Sequence, residues 1–202
     1  MAVIDALTAF ARTDGVRDSV EFYNMEDNNK LRHVTNWIVD IVVVIAFAWF
    51  LVYAYGTRIP IAGHSMTPLL ESEDVVLMDR LAYDFGKPAR FDVVVYERGD
   101  QKLNVKRVIG LPGETVQIVD GQVYIDGEML EQGEGMSKIS LAGLAEDPIK
   151  LGEDQYFLLG DNRDSSEDSR FAGIGNVSES QIQGRVWFRI SPVSRIEAIR
   201  SE

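Results

Sequence analysis

The sequence of 202 residues is long enough to form a hydrophobic core, and its 46% hydrophobic composition excludes a wholly disordered chain. It contains no cysteine, which excludes disulfides, cysteine nucleophiles, thiolate zinc sites and iron–sulfur clusters. With 32 acidic against 20 basic residues and a net charge of −12, the chain is a poor candidate for binding nucleic acid. Its two histidines, His33 and His64, are too few for a histidine-rich metal site, so we expect no metal and no cofactor.

The first predicted element is a transmembrane helix at residues 37–55, which read WIVDIVVVIAFAWFLVYAY. At about 1.5 Å per residue this helix is about 28 Å long, close to the thickness of a hydrocarbon core. A buried core helix is the alternative, and the absence of a polar stripe argues against it. A cleavable signal peptide is rejected because 36 residues precede the apolar run, which also exceeds a usual signal-peptide core.

Basic residues near the span predict its orientation. Lys30 and Arg32 precede it and Arg58 follows it, which favours an N-terminus in the cytoplasm. Residues 1–36 are then a cytoplasmic segment to which no chemistry can be assigned. The chain is predicted to be a single-pass protein of the plasma membrane, with residues 57–202 outside the cytoplasm.

Residues 57–202 have the pattern of a mainly β domain. Two dipeptides typical of hairpin turns, Asp120-Gly121 and Asp126-Gly127, lie only six residues apart. Residues 131–150 interrupt the pattern and predict a surface excursion with one or two helical turns. We expect antiparallel sheets folded into a barrel or sandwich. The predicted strands are Asp74–Met78, Asp92–Tyr96, Leu103–Ile109, Thr115–Val119, Gln122–Ile125, Gln155–Leu159 and Gly184–Ile190.

A Ser-His-Asp triad is not expected, although hydrolytic chemistry is possible. His33 lies beyond the predicted membrane, and His64 would point away from its neighbour Ser65 in an extended segment. A hydrolase built on this chain would therefore need a carboxylate or a lysine as its base.

Three segments are candidates for that chemistry, and each has a structural alternative. Ser65-Met66-Thr67-Pro68 could be no more than a turn closed by proline. Lys106 and Arg107 point to opposite faces of a strand, and Lys106 could be an edge lysine in water. The polar run GDNRDSSEDSR at residues 160–170 could be a solvated loop, but its alternating charges also suit a buried network.

Together the three segments resemble the type I signal peptidases, membrane-bound serine proteases of the Ser/Lys class. SMTP at residues 65–68 matches the family's Ser-Met-x-Pro motif, and KRVIGLPGE at residues 106–114 matches its lysine motif with Glu114 where Asp is common. GDNRDSSEDSR matches the final motif over its whole length. The resemblance covers residues 37–195, and the single span is similar to the Gram-positive type.

The resemblance implies roles for individual residues. Ser65 would be the nucleophile and Lys106 the general base, and Ser166 would orient the lysine. A free lysine has a pKa of about 10.4, so burial would have to lower the pKa of Lys106 before it could accept a proton at neutral pH. Four charged residues would form a supporting salt-bridge network: Asp161, Arg163, Asp168 and Arg170.

The oxyanion site is predicted less completely. The Ser65 backbone N–H would supply one donor. Some relatives have a serine hydroxyl two residues before the nucleophile, where this chain has Gly63. Either water or another protein group would then complete the site.

The resemblance also implies the reaction and its partners. The substrates would be secretory preproteins cut after an Ala-x-Ala-like site through an acyl-enzyme. The lipid bilayer would be a second partner, and Ile59, Ile61 and Met66 could rest on its surface. No nucleic-acid partner is expected, and no oligomeric state is predicted.

Three alternatives to this function have different sequence requirements. A self-cleaving Ser/Lys repressor should be soluble and carry a DNA-binding domain. A penicillin-binding enzyme needs Ser-x-x-Lys, and this chain has Pro68 at the lysine position. A non-catalytic, membrane-anchored β domain that binds preproteins or envelope proteins is the third alternative. The joint presence of Ser65, Lys106 and Ser166 argues against it.

Overall fold

The computed structural model describes residues 14–99, 101–133, 136 and 138–200, with side chains described from residue 31 onward. The first 13 residues of the predicted cytoplasmic segment therefore lie outside the described residues. The chain divides into two compact units, residues 1–50 and residues 51–202.

The first unit consists of most of helix α1, which runs over Asp14–Tyr55. Its part Leu31–Tyr55, 25 residues long, has the length and apolar composition that crossing a membrane requires. Large apolar side chains along it are exposed, such as Trp37 at 72% and Trp49 at 69%. The predicted span at residues 37–55 lies inside this helix, which begins earlier than the apolar run.

The second unit contains twelve described strands in two antiparallel sheets. The larger sheet has the order β1-β2-β11-β3-β4-β9-β10, with β12 beside β11, and the smaller has the order β7-β6-β5-β8. The strands are β1 Thr57–Pro60, β2 Val75–Asp79, β3 Val93–Glu97, β4 Leu103–Gly110, β5 Thr115–Val119, β6 Gln122–Ile125, β7 Glu128–Met129, β8 Ile149–Lys150, β9 Gln155–Leu159, β10 Val177–Ser178, β11 Ile182–Ser191 and β12 Glu197–Ala198.

The predicted fold class is confirmed, and each of the seven predicted runs overlaps a strand. Both predicted turns have positive φ at their two central residues, as a type I′ hairpin requires: Asp120 and Gly121, then Asp126 and Gly127. The predicted excursion at residues 131–150 contains the short 3₁₀ helix Gly143–Glu146 and strand β8.

Apolar residues cover both faces of the large sheet at its centre. Val93 and Val95 belong to one buried cluster, and their neighbours Val94 and Tyr96 belong to another. This alternation is the period of a strand that is buried on both faces. Strand β4 therefore runs through the interior, and a polar side chain on it is removed from water.

The expected lipid contact of Ile59, Ile61 and Met66 is wrong. All three side chains lie in the apolar cluster that also contains Val93 and Val95, and none is more than 8% exposed. Ile59 points into the core because β1 pairs with β2, Ile61 continues this pairing through its bond to the Asp74 carbonyl, and Met66 is buried by the turn at residues 64–70.

Candidate active site

Ser65 lies in a turn of the segment between β1 and β2. The Thr67 N–H donates to the His64 carbonyl over 3.2 Å, and the Leu70 N–H donates to the Met66 carbonyl over 2.8 Å. Met66 and Leu70 are fully buried, whereas Ser65 is half-buried. Two core side chains thus fix the turn and leave the serine hydroxyl accessible.

Lys106 reaches Ser65 from strand β4. Its Nζ and the Ser65 Oγ are 2.8 Å apart and form a hydrogen bond, and the lysine is only 3% exposed. Burial lowers the pKa of Lys106 to about 8, although the negative charges of Asp168, Glu167 and Asp161 act in the opposite direction. With this pKa, about one lysine in ten is neutral at pH 7. The Ser65 hydroxyl and the Lys106 amine therefore lie within direct proton-transfer distance of each other.

The loop after β9 packs against the backbone of Ser65. The Asn162 N–H donates to the Ser65 carbonyl over 3.1 Å. A methyl group on Gly160 would come within 2.4 Å of that carbonyl oxygen and 2.3 Å of the Ser166 Oγ. Only a residue without a side chain fits between them, so Gly160 brings Ser65 and Ser166 together.

Ser166 is buried, but its orienting role stays a prediction. Its Oγ forms no hydrogen bond with any part of the chain that the structure describes. A hydroxyl buried without a partner costs free energy, and such groups are concentrated where a structure has a functional reason to keep them.

Asp168 and Arg170 form one buried ion pair beneath this loop. The guanidinium binds the carboxylate through two hydrogen bonds, of 2.8 Å from Nε and 2.9 Å from an Nη. The same carboxylate accepts the Gly160 N–H over 3.1 Å, and Arg170 also donates to the Leu141 carbonyl. The pair therefore holds the backbone at Gly160 in place.

Asp161 forms an ion pair with a residue outside the predicted network. It binds Arg107, the neighbour of Lys106 on β4, through two hydrogen bonds of 2.8 Å, and both side chains are buried. Arg163 instead donates to Gln132 and to the Met136 sulfur. Arg170 also donates to the Arg163 backbone carbonyl, which connects Arg163 to the pair of Asp168 and Arg170. Arg107, which the sequence analysis left without a role, could be found only through its strand alternation with Lys106.

The backbone around Ser65 provides one candidate oxyanion donor. Within the described parts of the chain, no group accepts a hydrogen bond from the Ser65 N–H. Gly63 has a φ of 87°, a left-handed conformation that favours glycine, and a Cβ there would meet no atom within 4 Å. The space before the nucleophile is therefore open.

His64, the histidine next to Ser65, takes no part in the contact between Ser65 and Lys106. His64 lies in the turn instead of an extended segment, and its side chain is exposed. Among the residues that the structure describes, no group of three or more histidine, aspartate or glutamate side chains could hold a metal ion.

The sequence matches a known family over most of its length. Residues 34–191 match the family described as signal peptidase, peptidase S26. A signal peptidase I from Leptolyngbya laminosa is 36% identical over 167 residues, which cover 78% of this chain and 79% of the relative. Signal peptidase I S from Bacillus subtilis is 31% identical over 179 residues, which cover 85% and 96%.

A crystal structure of a signal peptidase I from Enterococcus faecalis, 30% identical, covers 49% of this chain and 96% of its own, with a TM-score of 0.40. The family match and the curated relatives extend over the segments that contain Ser65, Lys106 and Gly160. The chain belongs to the signal peptidase family, peptidase S26, and is a serine peptidase.

Proposed function

We propose that this chain removes signal peptides from secretory preproteins with Ser65 as nucleophile and Lys106 as general base. The observation that carries this proposal is the 2.8 Å contact between the Ser65 Oγ and a lysine that is 3% exposed. Burial makes neutral Lys106 accessible near physiological pH, which a surface lysine would not be.

The reaction is an acyl transfer in two halves. Neutral Lys106 accepts the proton of Ser65 as its Oγ attacks the scissile carbonyl, and the Ser65 N–H donates to the developing oxyanion. The protonated lysine gives its proton to the departing amine, which leaves an ester on Ser65. Water then loses a proton to Lys106 and attacks the ester, and the lysine returns that proton to the Ser65 oxygen.

The proposed substrate is an extended segment with an Ala-x-Ala-like site. Among the described strands β1 pairs only with β2, so its other edge is free to bind a peptide as an added strand. Residues 103–105 of β4 pair with β3, and β9 pairs only with the later part of β4. These free backbone edges precede Ser65 and Lys106 in the chain, and they support binding of the residues before the cut.

The test is cleavage of a preprotein by the detergent-solubilised chain. Wild type, Ser65→Ala and Lys106→Ala are compared, with Lys150→Ala as a matched control because Lys150 is exposed on β8. The proposal expects cutting after Ala-x-Ala, by mass spectrometry of the product, in wild type and control only. Circular dichroism checks that every variant is folded.

Two outcomes would contradict the proposal. Cleavage by Lys106→Ala at the wild-type rate would exclude Lys106 as the base. If wild type bound the preprotein without cutting it, the non-catalytic anchored domain would be the better interpretation.

We also propose that residues 37–55 anchor the chain in the plasma membrane with residues 57–202 outside the cytoplasm. The length of the apolar helix and the bias of Lys30 and Arg32 support this orientation. Because the chain has no cysteine, single cysteines can report its topology. A membrane-impermeant maleimide should label Gly99→Cys in intact cells and leave Ala2→Cys unlabelled; the reverse pattern would exclude this orientation.

A further inference from the structure

A cavity of about 530 Å³ lies beside the nucleophile loop and has no role in the reaction described above. Neither Ser65 nor Lys106 lines it. Its walls come from the nucleophile loop, from β4, from the loop after β9 and from the C-terminal segment. The lining residues that matter here are Pro68, Leu69, Arg107, Asp161, Arg189 and Arg200.

The residues that line the cavity follow Ser65 and Lys106 in the sequence. Pro68 and Leu69 follow Ser65 by three and four residues, and Arg107 follows Lys106 directly. Asp161 follows Gly160, which touches the Ser65 carbonyl. None of the residues 57–65 or 103–106 lines the cavity. Along both elements, the free strand edges thus precede the reacting side chains and the cavity-lining residues follow them.

The last turn of α1 indicates which part of a substrate lies along β1 and which part reaches the cavity. Its Ala54 carbonyl accepts the Arg80 N–H, and β1 begins two residues after the helix ends and leads toward Ser65. A signal peptide whose apolar segment lies in the same membrane as the proposed span comes from the helix end. Residues before the cut then lie along β1, and residues after the cut continue past Ser65 toward the cavity.

Among the described residues that line the cavity, every charged side chain except Arg200 has an ion-pair partner. Arg107 is bound on two atoms by Asp161. Arg189 is bound by Asp74 and by Glu197. Arg200 is exposed and, as far as the described residues go, has no ion pair. In a chain of net charge −12, an uncompensated guanidinium at a cavity attracts an anionic group.

The geometry points to this cavity as the binding site for the first residues of the mature chain, with Arg200 favouring an acidic side chain among them. This inference rests on the proposed cleavage of signal peptides. It adds a specificity-determining residue for the part of the substrate that follows the scissile bond.

The experiment uses the full chain in detergent and a set of preproteins that are identical up to the cut. Glu, Gln or Lys is placed in turn at each of the first three positions after it, and kcat/KM is measured. Since an exposed ion pair is worth about 0.2–1 kcal/mol, wild type should prefer Glu over Gln by about 1.4-fold to fivefold at one position, and Glu over Lys by more. Arg200→Gln should remove this preference, and Arg200→Glu should reverse it.

Lys150→Glu is the matched control, because it makes the same change of net charge on an exposed strand that does not line the cavity. It should keep the wild-type preference. If Arg200→Glu cuts with an unchanged preference, the inference is wrong and the proposed function still stands. If wild type cuts no preprotein, the proposed function fails and the inference fails with it.

Discussion

Two neighbouring cations on strand β4, Lys106 and Arg107, lie in opposite electrostatic surroundings. Both are buried, at 3% and 5% exposure. Arg107 is held by the Asp161 carboxylate through two hydrogen bonds. Lys106 contacts a serine hydroxyl and, among the described residues, has no carboxylate within ion-pair distance. Strand alternation alone assigns one cation to each face.

The difference shows how one strand can hold both a paired structural charge and a lysine with a lowered pKa. A carboxylate in direct contact compensates the burial of the Arg107 charge. Lys106 is buried without such contact, so its pKa falls to about 8 because burial outweighs the more distant negative charges. Both side chains are buried to a similar extent, so Arg107 and Lys106 differ in whether a carboxylate is in direct contact with the cation.

Lys106→Arg is expected to lower cleavage activity most, because arginine stays protonated in proteins and cannot accept a proton. We expect kcat/KM for preprotein cleavage to fall by about 10⁴-fold or more, as when other serine peptidases lose their base. Lys150→Arg should cut like wild type. Activity of Lys106→Arg within tenfold of wild type would mean that a group other than Lys106 accepts the Ser65 proton.

Asp161→Asn should make Arg107 a buried charge without its partner. Breaking a buried ion pair costs about 3–5 kcal/mol, so the urea midpoint of the detergent-solubilised chain should fall strongly. The control is the exposed pair of Arg98 and Glu167, 3.0 Å apart, where Glu167→Gln should cost about 0–1 kcal/mol. Equal midpoints for the two variants would show that the Arg107 pair contributes nothing to stability.

The sequence predicted the parts of the structure that depend on local pattern. The seven predicted strands, their antiparallel arrangement and both Asp-Gly turns follow from alternation and turn chemistry. The other five described strands, β1, β7, β8, β10 and β12, were not predicted. Four of them have only two residues, which is too short to show a period.

At the site, the sequence could name residues but not their partners. The motifs identified Ser65, Lys106 and Asp161, and strand alternation placed Arg107 opposite Lys106. The contact between Asp161 and Arg107 spans 54 positions in the chain and depends on how the loop after β9 folds back. The mistaken lipid role of Ile59 has the same origin, since the pairing of β1 decides which way that side chain points.

Gly160→Ala should reduce activity less than Lys106→Arg does, because it displaces the Ser65 backbone and leaves the charges unchanged. Its methyl group would come within 2.4 Å of the Ser65 carbonyl oxygen, so the nucleophile loop must shift. A displacement of about 1 Å at a reacting group costs about 10²-fold in rate. Gly99→Ala is the matched control, because a Cβ there meets nothing within 4 Å. Comparable kcat values for the two variants would contradict a close fit at Gly160.

The smallest expected effect concerns the pH dependence of cleavage. In the proposed mechanism neutral Lys106 is the active form, so kcat/KM should rise about tenfold per pH unit in acid and level off above its pKa of about 8. The negative charge of Glu167 raises the pKa of Lys106, so Glu167→Gln should move the midpoint to lower pH. Solvent screens an exposed carboxylate, and we expect a shift of only about 0.2–0.5 of a pH unit that shrinks with added salt.

Glu153→Gln is the control for this shift, because Glu153 is equally exposed and is not among the charges that act on Lys106. It should leave the midpoint in place. A midpoint that moves to higher pH in Glu167→Gln would contradict this assignment, because removing a negative charge lowers the pKa of any titrating group near it. A wild-type midpoint near 10 would mean that burial does not lower the pKa of Lys106 enough for it to act as a base. Lys106 and Arg107 would then differ only in the groups that they contact.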